Sequence, residues 1–170
     1  MSDNDPTAAP AAIPADLAAT YRPAERYGFL QASAARLRYA CWNVPATSKG
    51  TVVLLSGRGE FIEKYATEVV GELMGRGYCV FAMDWRGQGL SDRALADRGK
   101  GHIDNFSTYM ADLQLFLDKV VAPSAPRPIL ALCHSMGAHI MMRVLAEDGS
   151  GGISAGVLGS AIRALKPHAV

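Results

Sequence analysis

The sequence predicts an α/β fold in which a mostly parallel sheet carries helices on both of its faces. Three observations lead there. Four runs, 51–56, 78–83, 128–133 and 153–158, are apolar almost throughout, as strands buried on both sides are. Three stretches between and around them repeat apolar residues at helical spacing instead. Strand and helix then alternate along the chain, the order that produces parallel strands joined by crossover helices.

Residues 1–24 carry Pro6, Pro10, Pro14 and Pro23 in an alanine-rich background and are expected to form a loose leader, with 25–170 as the domain. Strands are expected at 26–32 and 35–43 on either side of Ser33, where aromatic residues and Leu37 suit a pleated surface. The 51–56 strand ends at Gly57. From 61 to 76 the apolar positions 61, 62, 65, 66, 69, 70 and 73 form one helical stripe, closed by Gly75 and Gly77. Asp84 follows the 78–83 strand and opens a polar, glycine-rich loop over 85–105. Phe106, Tyr109, Met110, Leu113, Leu117 and Val120 mark the next helix, which Asn105 helps to start. After the 128–133 strand a third helix is expected over 136–147.

With 170 residues the chain has the size of one domain, and 49% hydrophobic against 19% charged residues reads as globular. A formal net charge of +1, without a dense Lys/Arg cluster, argues against a nucleic-acid partner. Cys41, Cys79 and Cys133 lie in or beside apolar runs, an odd number without ligand spacing. They read as buried thiols in a reducing compartment. The acidic start (Ser2, Asp3, Asn4, Asp5) lacks a secretory pattern, and no 18-residue apolar run offers a transmembrane segment. A cytoplasmic protein is expected.

In a parallel sheet, ligands bind beyond the C-terminal strand ends. Those ends here hold Ser56-Gly57-Arg58, Asp84-Trp85-Arg86 and His134-Ser135. Ser135 lies between an apolar strand and a helical stretch, the strand–turn–helix setting that exposes a nucleophilic hydroxyl above unpaired helix N–H groups. Such a turn needs small residues two before and two after the serine. Gly137 meets the second requirement and Cys133 stands at the first, giving Cys-x-Ser-x-Gly. The competing role for Ser135 is a plain helix cap. Gly57-Arg58-Gly59-Glu60 is a loop whose backbone can approach a substrate, so the oxyanion donors are expected to be the backbone N–H groups of Arg58 and Met136. The alternative for Arg58 is an ordinary surface arginine. Its glycines do not match dinucleotide-loop spacing, and no Gly-Lys-Ser/Thr P-loop occurs.

Taken together, Ser56-Gly57-Arg58-Gly59-Glu60, the run Asp84-Trp85-Arg86-Gly87-Gln88-Gly89-Leu90-Ser91, Gly101-His102-Ile103 and Cys133-His134-Ser135-Met136-Gly137 resemble the monoglyceride lipase and lysophospholipase group of the α/β-hydrolase fold (serine aminopeptidase S33-type). The group usually has His-Gly-x-Gly-Glu at the oxyanion loop and Gly-His-Ser-Met-Gly at the elbow, so Ser56 and Cys133 are departures. The resemblance spans about residues 27–158. It implies a serine hydrolase of carboxylic esters, lipid-like or small, with Ser135 as nucleophile and no metal or organic cofactor. It implies a framework role for Asp84, Gly87 and Gly89, with Arg86 and Ser91 tying the loop by hydrogen bonds. Phe61, Ile62, Trp85 and Met136 are candidates for apolar contact at the near rim.

The same resemblance places the triad acid and histidine beyond the sixth strand, so neither is expected within this chain, which reads as the N-terminal part of the fold without the cap. His134 is expected to turn into packing, His139 to be a helix residue, His102 a loop residue, and His168 lies in the tail. The alternative function is a catalytically incomplete fragment, or an assembly module retaining half the fold. In either case the 153–158 strand would leave an apolar sheet edge open, and self-association through it is expected.

Overall fold

A computed structural model describes residues 22–42, 47–147, 149 and 152–160. The expected leader, apart from its last three residues, and the tail with His168 lie outside them. Six strands form one mixed sheet in the order β1-β2-β4-β3-β5-β6. β1 (Arg26–Ala32) and β2 (Ala35–Trp42) make an antiparallel hairpin, and β2 runs antiparallel to β4 (Cys79–Met83). From there the ladder is parallel: β4 with β3 (Thr51–Leu55), β3 with β5 (Ile129–His134), and β5 with β6 (Ala155–Gly159). The mostly parallel α/β architecture read from the sequence is the one observed.

Side-chain alternation divides the core between the two faces of this sheet. Leu54, Val80 and Ala82, with Ala40 and Trp42 of β2, pack on Ile62, Ala66 and Val70 from α1 (Ile62–Ala66) and α2 (Val69–Gly75). Val53, Leu55, Phe81 and Met83 turn to the opposite face. There they meet Leu113 and Phe116 of α3 (Ser107–Phe116) and Ile140 and Val144 of α4 (Met136–Glu147). All five residues of β3 and of β4 are buried, which is why their sequences are continuously apolar. Cys41, Cys79 and Cys133 are free and buried.

Two elements differ from the periodicity reading. The 61–76 stripe is broken into α1 and α2 at Thr67–Glu68, although neither residue is a helix breaker and both keep helical φ and ψ. The stripe itself continues across the break. The helix begun by α3 runs on as a π-turn over Leu117–Val121, where Ala122 N–H donates to the Leu117 carbonyl at 2.8 Å. This wider turn buries Leu117, Val120 and Val121 together, two of them adjacent in sequence. Asn105 turns back to accept from the Ser107 N–H at 2.9 Å just ahead of α3.

β6 is the edge of the described sheet. Its Ala155–Leu158 residues are exposed, with Val157 at 66% of full exposure. No described helix is long and apolar enough to cross a membrane.

Candidate active site

Because β4, β3 and β5 are parallel, their C-terminal ends open on one rim. Ser135 sits there between β5 and α4 with φ 51°, a left-handed conformation that a non-glycine residue adopts only under constraint. Its N–H donates to the Gly159 carbonyl at 2.8 Å, and its own carbonyl accepts the His139 N–H at 3.1 Å. The turn is therefore fixed on one side by β6 and on the other by the first turn of α4. Close approach of backbone explains Gly137: a Cβ there would lie 2.6 Å from the Leu55 carbonyl oxygen and 2.7 Å from that of Ser56. Cys133 is packed into the sheet, and burial pushes its thiol up to about 12, so it stays neutral. Met136 opens α4, where a backbone N–H has no intrahelical acceptor.

The loop after β3 reaches this turn through Gly57. A Cβ on Gly57 would lie 3.2 Å from the Ser135 Cβ and 3.0 Å from His134 Nδ1. Ser56 is buried, with its hydroxyl unpartnered among the described residues. Arg58 is exposed, and its N–H has no acceptor among the described residues. Gly59, at φ 74°, donates its N–H to Gln88 Oε1 at 2.5 Å. Glu60 holds the loop in shape. Its carboxylate accepts the Gly57 N–H at 2.6 Å, the Tyr65 hydroxyl at 2.5 Å, the Lys64 ammonium, and a 3.1 Å contact from His134 Nδ1. His134 was expected in packing. It is half exposed instead, because Glu60 and Tyr65 offer it polar partners at the surface.

Burial alone would raise the Glu60 carboxyl, but the bonds from Lys64, Tyr65, Gly57 and His134 outweigh it and hold the group down to about 2. A folded value below the unfolded one, about 4.3, contributes stability that is complete above that unfolded value and lost as pH falls toward the folded one. The Glu60 side-chain carbon resonance should accordingly titrate well below pH 4 in the native protein. A midpoint at or above about 4.3 would contradict the clamp.

Asp84 organises the third loop from a fully buried position. Its carboxylate accepts the Ile62 N–H at 2.9 Å, the Leu90 N–H at 3.0 Å and Arg38 Nη1 at 3.2 Å. Arg38, also fully buried, is shared with Glu63 at 2.5 Å. Gly89, at φ 51°, passes so close that a Cβ would meet the Asp84 Cγ at 2.1 Å. Gly87 takes φ 80° beside it. Ser91 Oγ donates to the Asp84 carbonyl at 2.7 Å and accepts the Arg38 N–H at 2.8 Å. Arg86 grips Asp112 of α3 through two bonds, at 2.9 and 2.7 Å, and donates to the Ser33 carbonyl at 2.7 Å. Gln88 closes the circuit, its Nε2 donating to the Gly57 carbonyl at 3.3 Å.

Three rim candidates prove to be core. Ile62, Trp85 and Met136 are all buried, Trp85 with its ring edge on Tyr109 at 5.9 Å and its Nε1 donating to the Ser56 carbonyl at 2.8 Å. Only Phe61 stays partly exposed. His102 is bonded to Asp104 at 2.8 Å, and His139 packs on Phe106 at 5.1 Å. Among the described residues, then, no histidine side chain bonds Ser135. A cavity of about 420 Å³ opens between α1 and β6, lined by Leu54, Leu132 and Val157 with Glu60 and His134 at its polar end. Ser135 is not among its walls. Sequence reasoning missed Gln88 and Arg38 as partners of these loops; the Glu60/Lys64 pair, four residues apart, was the one local signal for the clamp.

The sheet order, the strained serine turn and the glycine-bounded loop facing it define an α/β-hydrolase fold of serine-hydrolase type. The model of the serine aminopeptidase S33 family matches residues 46–169, and the chain belongs to that family. It is similar to lysophospholipase L2 of Escherichia coli, 43% identical over 89 residues that make up 52% of this chain and 26% of that protein. Similarity to the probable lysophospholipase L2 of Haemophilus influenzae is 37% over 96 residues, 56% of this chain and 30% of that one. In three dimensions it resembles a soluble variant of monoglyceride lipase from Saccharomyces cerevisiae, solved with a substrate analog, at TM-score 0.64 and 28% identity. That match covers 84% of this chain and 46% of the yeast chain. The chain thus spans less than half of each of these three proteins.

Proposed function

We propose that this chain supplies the nucleophile and the oxyanion donors of a serine hydrolase acting on carboxylic esters, with lysophospholipids and monoacylglycerols as the first substrates to try. The observation that carries the reading is Ser135, held at φ 51° above the start of α4 and in contact with the loop that presents Arg58. Ser135 Oγ attacks the ester carbonyl while a histidine takes its proton. The carbonyl oxygen becomes an oxyanion between the backbone N–H groups of Arg58 and Met136. Collapse expels the alcohol, which receives the proton from the histidine, and water then releases the acid from the acyl-enzyme. The reading places the histidine and its acid in polypeptide beyond β6. No metal or organic cofactor enters these steps. The three free, buried thiols support a reducing, cytoplasmic setting.

A panel of acyl esters of increasing chain length, set against aminoacyl amides, tests the substrate class in an enzyme completed by those later strands. Faster turnover of esters is expected. Faster turnover of the amides would overturn the ester reading.

One observation favours a second reading, a module that pairs through its open edge: Val157 and Leu158 are exposed on opposite faces of β6. On that reading the chain sediments as dimers or larger species near 10 µM, about the concentration of an ordinary sample, and Val157→Lys shifts it toward monomer. A wild-type chain that sediments as a monomer would remove this reading.

A further inference from the structure

We propose that His134 is a positioning residue, one half of a latch that sets the Arg58 peptide against the Ser135 turn. This rests on the serine-hydrolase reading of Ser135 and adds a residue through which the oxyanion donor is held. The latch is a short run of contacts at the rim. His134 Nδ1 lies 3.1 Å from Glu60 Oε2, and the same oxygen accepts the Gly57 N–H at 2.6 Å. His134 ends β5 and directly precedes the serine, and Gly57 directly precedes Arg58. One carboxylate oxygen therefore couples the residue before the nucleophile to the residue before the proposed donor.

The bonds on the other side of Arg58 are made by Gln88, which is buried. It accepts the Gly59 N–H at 2.5 Å and donates to the Gly57 carbonyl at 3.3 Å. Trp85 Nε1 donates to the Ser56 carbonyl at 2.8 Å. The backbone around Arg58 is thus bonded on both sides, while the Arg58 N–H keeps no acceptor among the described residues. Of the groups that meet Glu60, Lys64 and Tyr65 belong to α1 and Gly57 to the loop itself. His134 alone among them comes from the strand that carries Ser135, so its loss cuts the tie and leaves Glu60 its three local partners.

The chemistry of the contact assigns the imidazole proton. Against the effect of burial, its hydrogen bonds hold the Glu60 carboxyl down to about 2, so its oxygens only accept. The Tyr65 hydroxyl has one proton and gives it to Glu60 Oε2 at 2.5 Å, with His134 Nδ1 3.4 Å from the phenol oxygen. Nδ1 must then bring its own hydrogen to the carboxylate, which leaves the lone pair of the neutral ring on Nε2. His134→Leu removes the donor, whereas His134→Asn puts an amide N–H where Nδ1 stood. Loss of the tie acts on rate more than on fold, because a donor displaced slightly from a developing oxyanion loses much of its effect.

Three readouts on the 170-residue chain test the latch. The nitrogen shifts of the neutral His134 ring should show Nδ1 protonated and Nε2 bare. His134→Leu should speed hydrogen exchange of the Gly57 N–H and slow fluorophosphonate labelling of Ser135, each about tenfold, with the near-UV circular dichroism unchanged. His134→Asn should restore both rates, and Arg143→Gln, on α4 and paired with Glu147, should alter neither. A ring protonated on Nε2, or unchanged Gly57 exchange in His134→Leu, would overturn the latch. Faster exchange with an unchanged labelling rate, or no recovery in His134→Asn, would overturn the positioning role. A wild-type chain unlabelled at Ser135 would instead overturn the nucleophile reading, and the positioning role with it, while the ring and Gly57 signals still report whether the latch exists.

Discussion

Ester hydrolysis should rise by about 10³-fold or more when this chain is joined to the C-terminal strands of a lysophospholipase L2 relative, and Ser135→Ala should remove the gain. The loop that presents Arg58 approaches a strained serine turn, but His134 is turned to Glu60, His102 to Asp104 and His139 to Phe106. Without a base, the serine hydroxyl is a weak nucleophile and only the electrostatic part of the catalysis is left. On the proposed reading, a supplied histidine and its acid restore proton transfer, and Ser135 is the hydroxyl that exploits it. The comparison of kcat/KM for the chain, the joined protein and its Ser135→Ala variant checks this. Equal rates for the joined protein and the variant would contradict it.

Asp84→Ala should lower stability by about 3–5 kcal/mol, the range for removing one partner of a buried ion pair. Arg38 is completely buried and would keep only Glu63, while the N–H groups of Ile62 and Leu90 would lose their acceptor. Domains of this size are stable by about 5–15 kcal/mol, so the change approaches the whole margin. Glu72→Ala, which removes an exposed partner of Arg76 four residues away, should cost under about 1 kcal/mol. Urea midpoints for the two variants provide the test. An Asp84→Ala variant no less stable than Glu72→Ala would mean that this loop is not anchored as described.

The parallel ladder was legible because β3, β4 and β5 are buried on both sides, which forces unbroken apolar runs and leaves little freedom in placing them. β6 was legible as a strand but is displaced, from an expected 153–158 to Ala155–Gly159, because Ile153 is buried ahead of the ladder rather than within it. The division between α1 and α2, and the π-turn after α3, leave no mark on a hydrophobic stripe that continues through both. At the site, the serine turn could be read from adjacent residues alone. The bonds that join its loops could not: Glu60 meets His134 across 74 positions, and Gln88 meets Gly59 across 29. Such partners depend on which strand ends the sheet order brings together. The rim candidates failed for a related reason, since Ile62, Trp85 and Met136 are apolar residues that the two helix layers cover.

Covalent labelling tests the central claim most directly. The joined protein is incubated with a fluorophosphonate, which reacts with an activated serine, and the modified peptide is located by mass mapping. The account predicts a single adduct on Ser135, abolished in Ser135→Ala and formed far more slowly on the unjoined chain. An adduct on any other residue that persists in Ser135→Ala would contradict it.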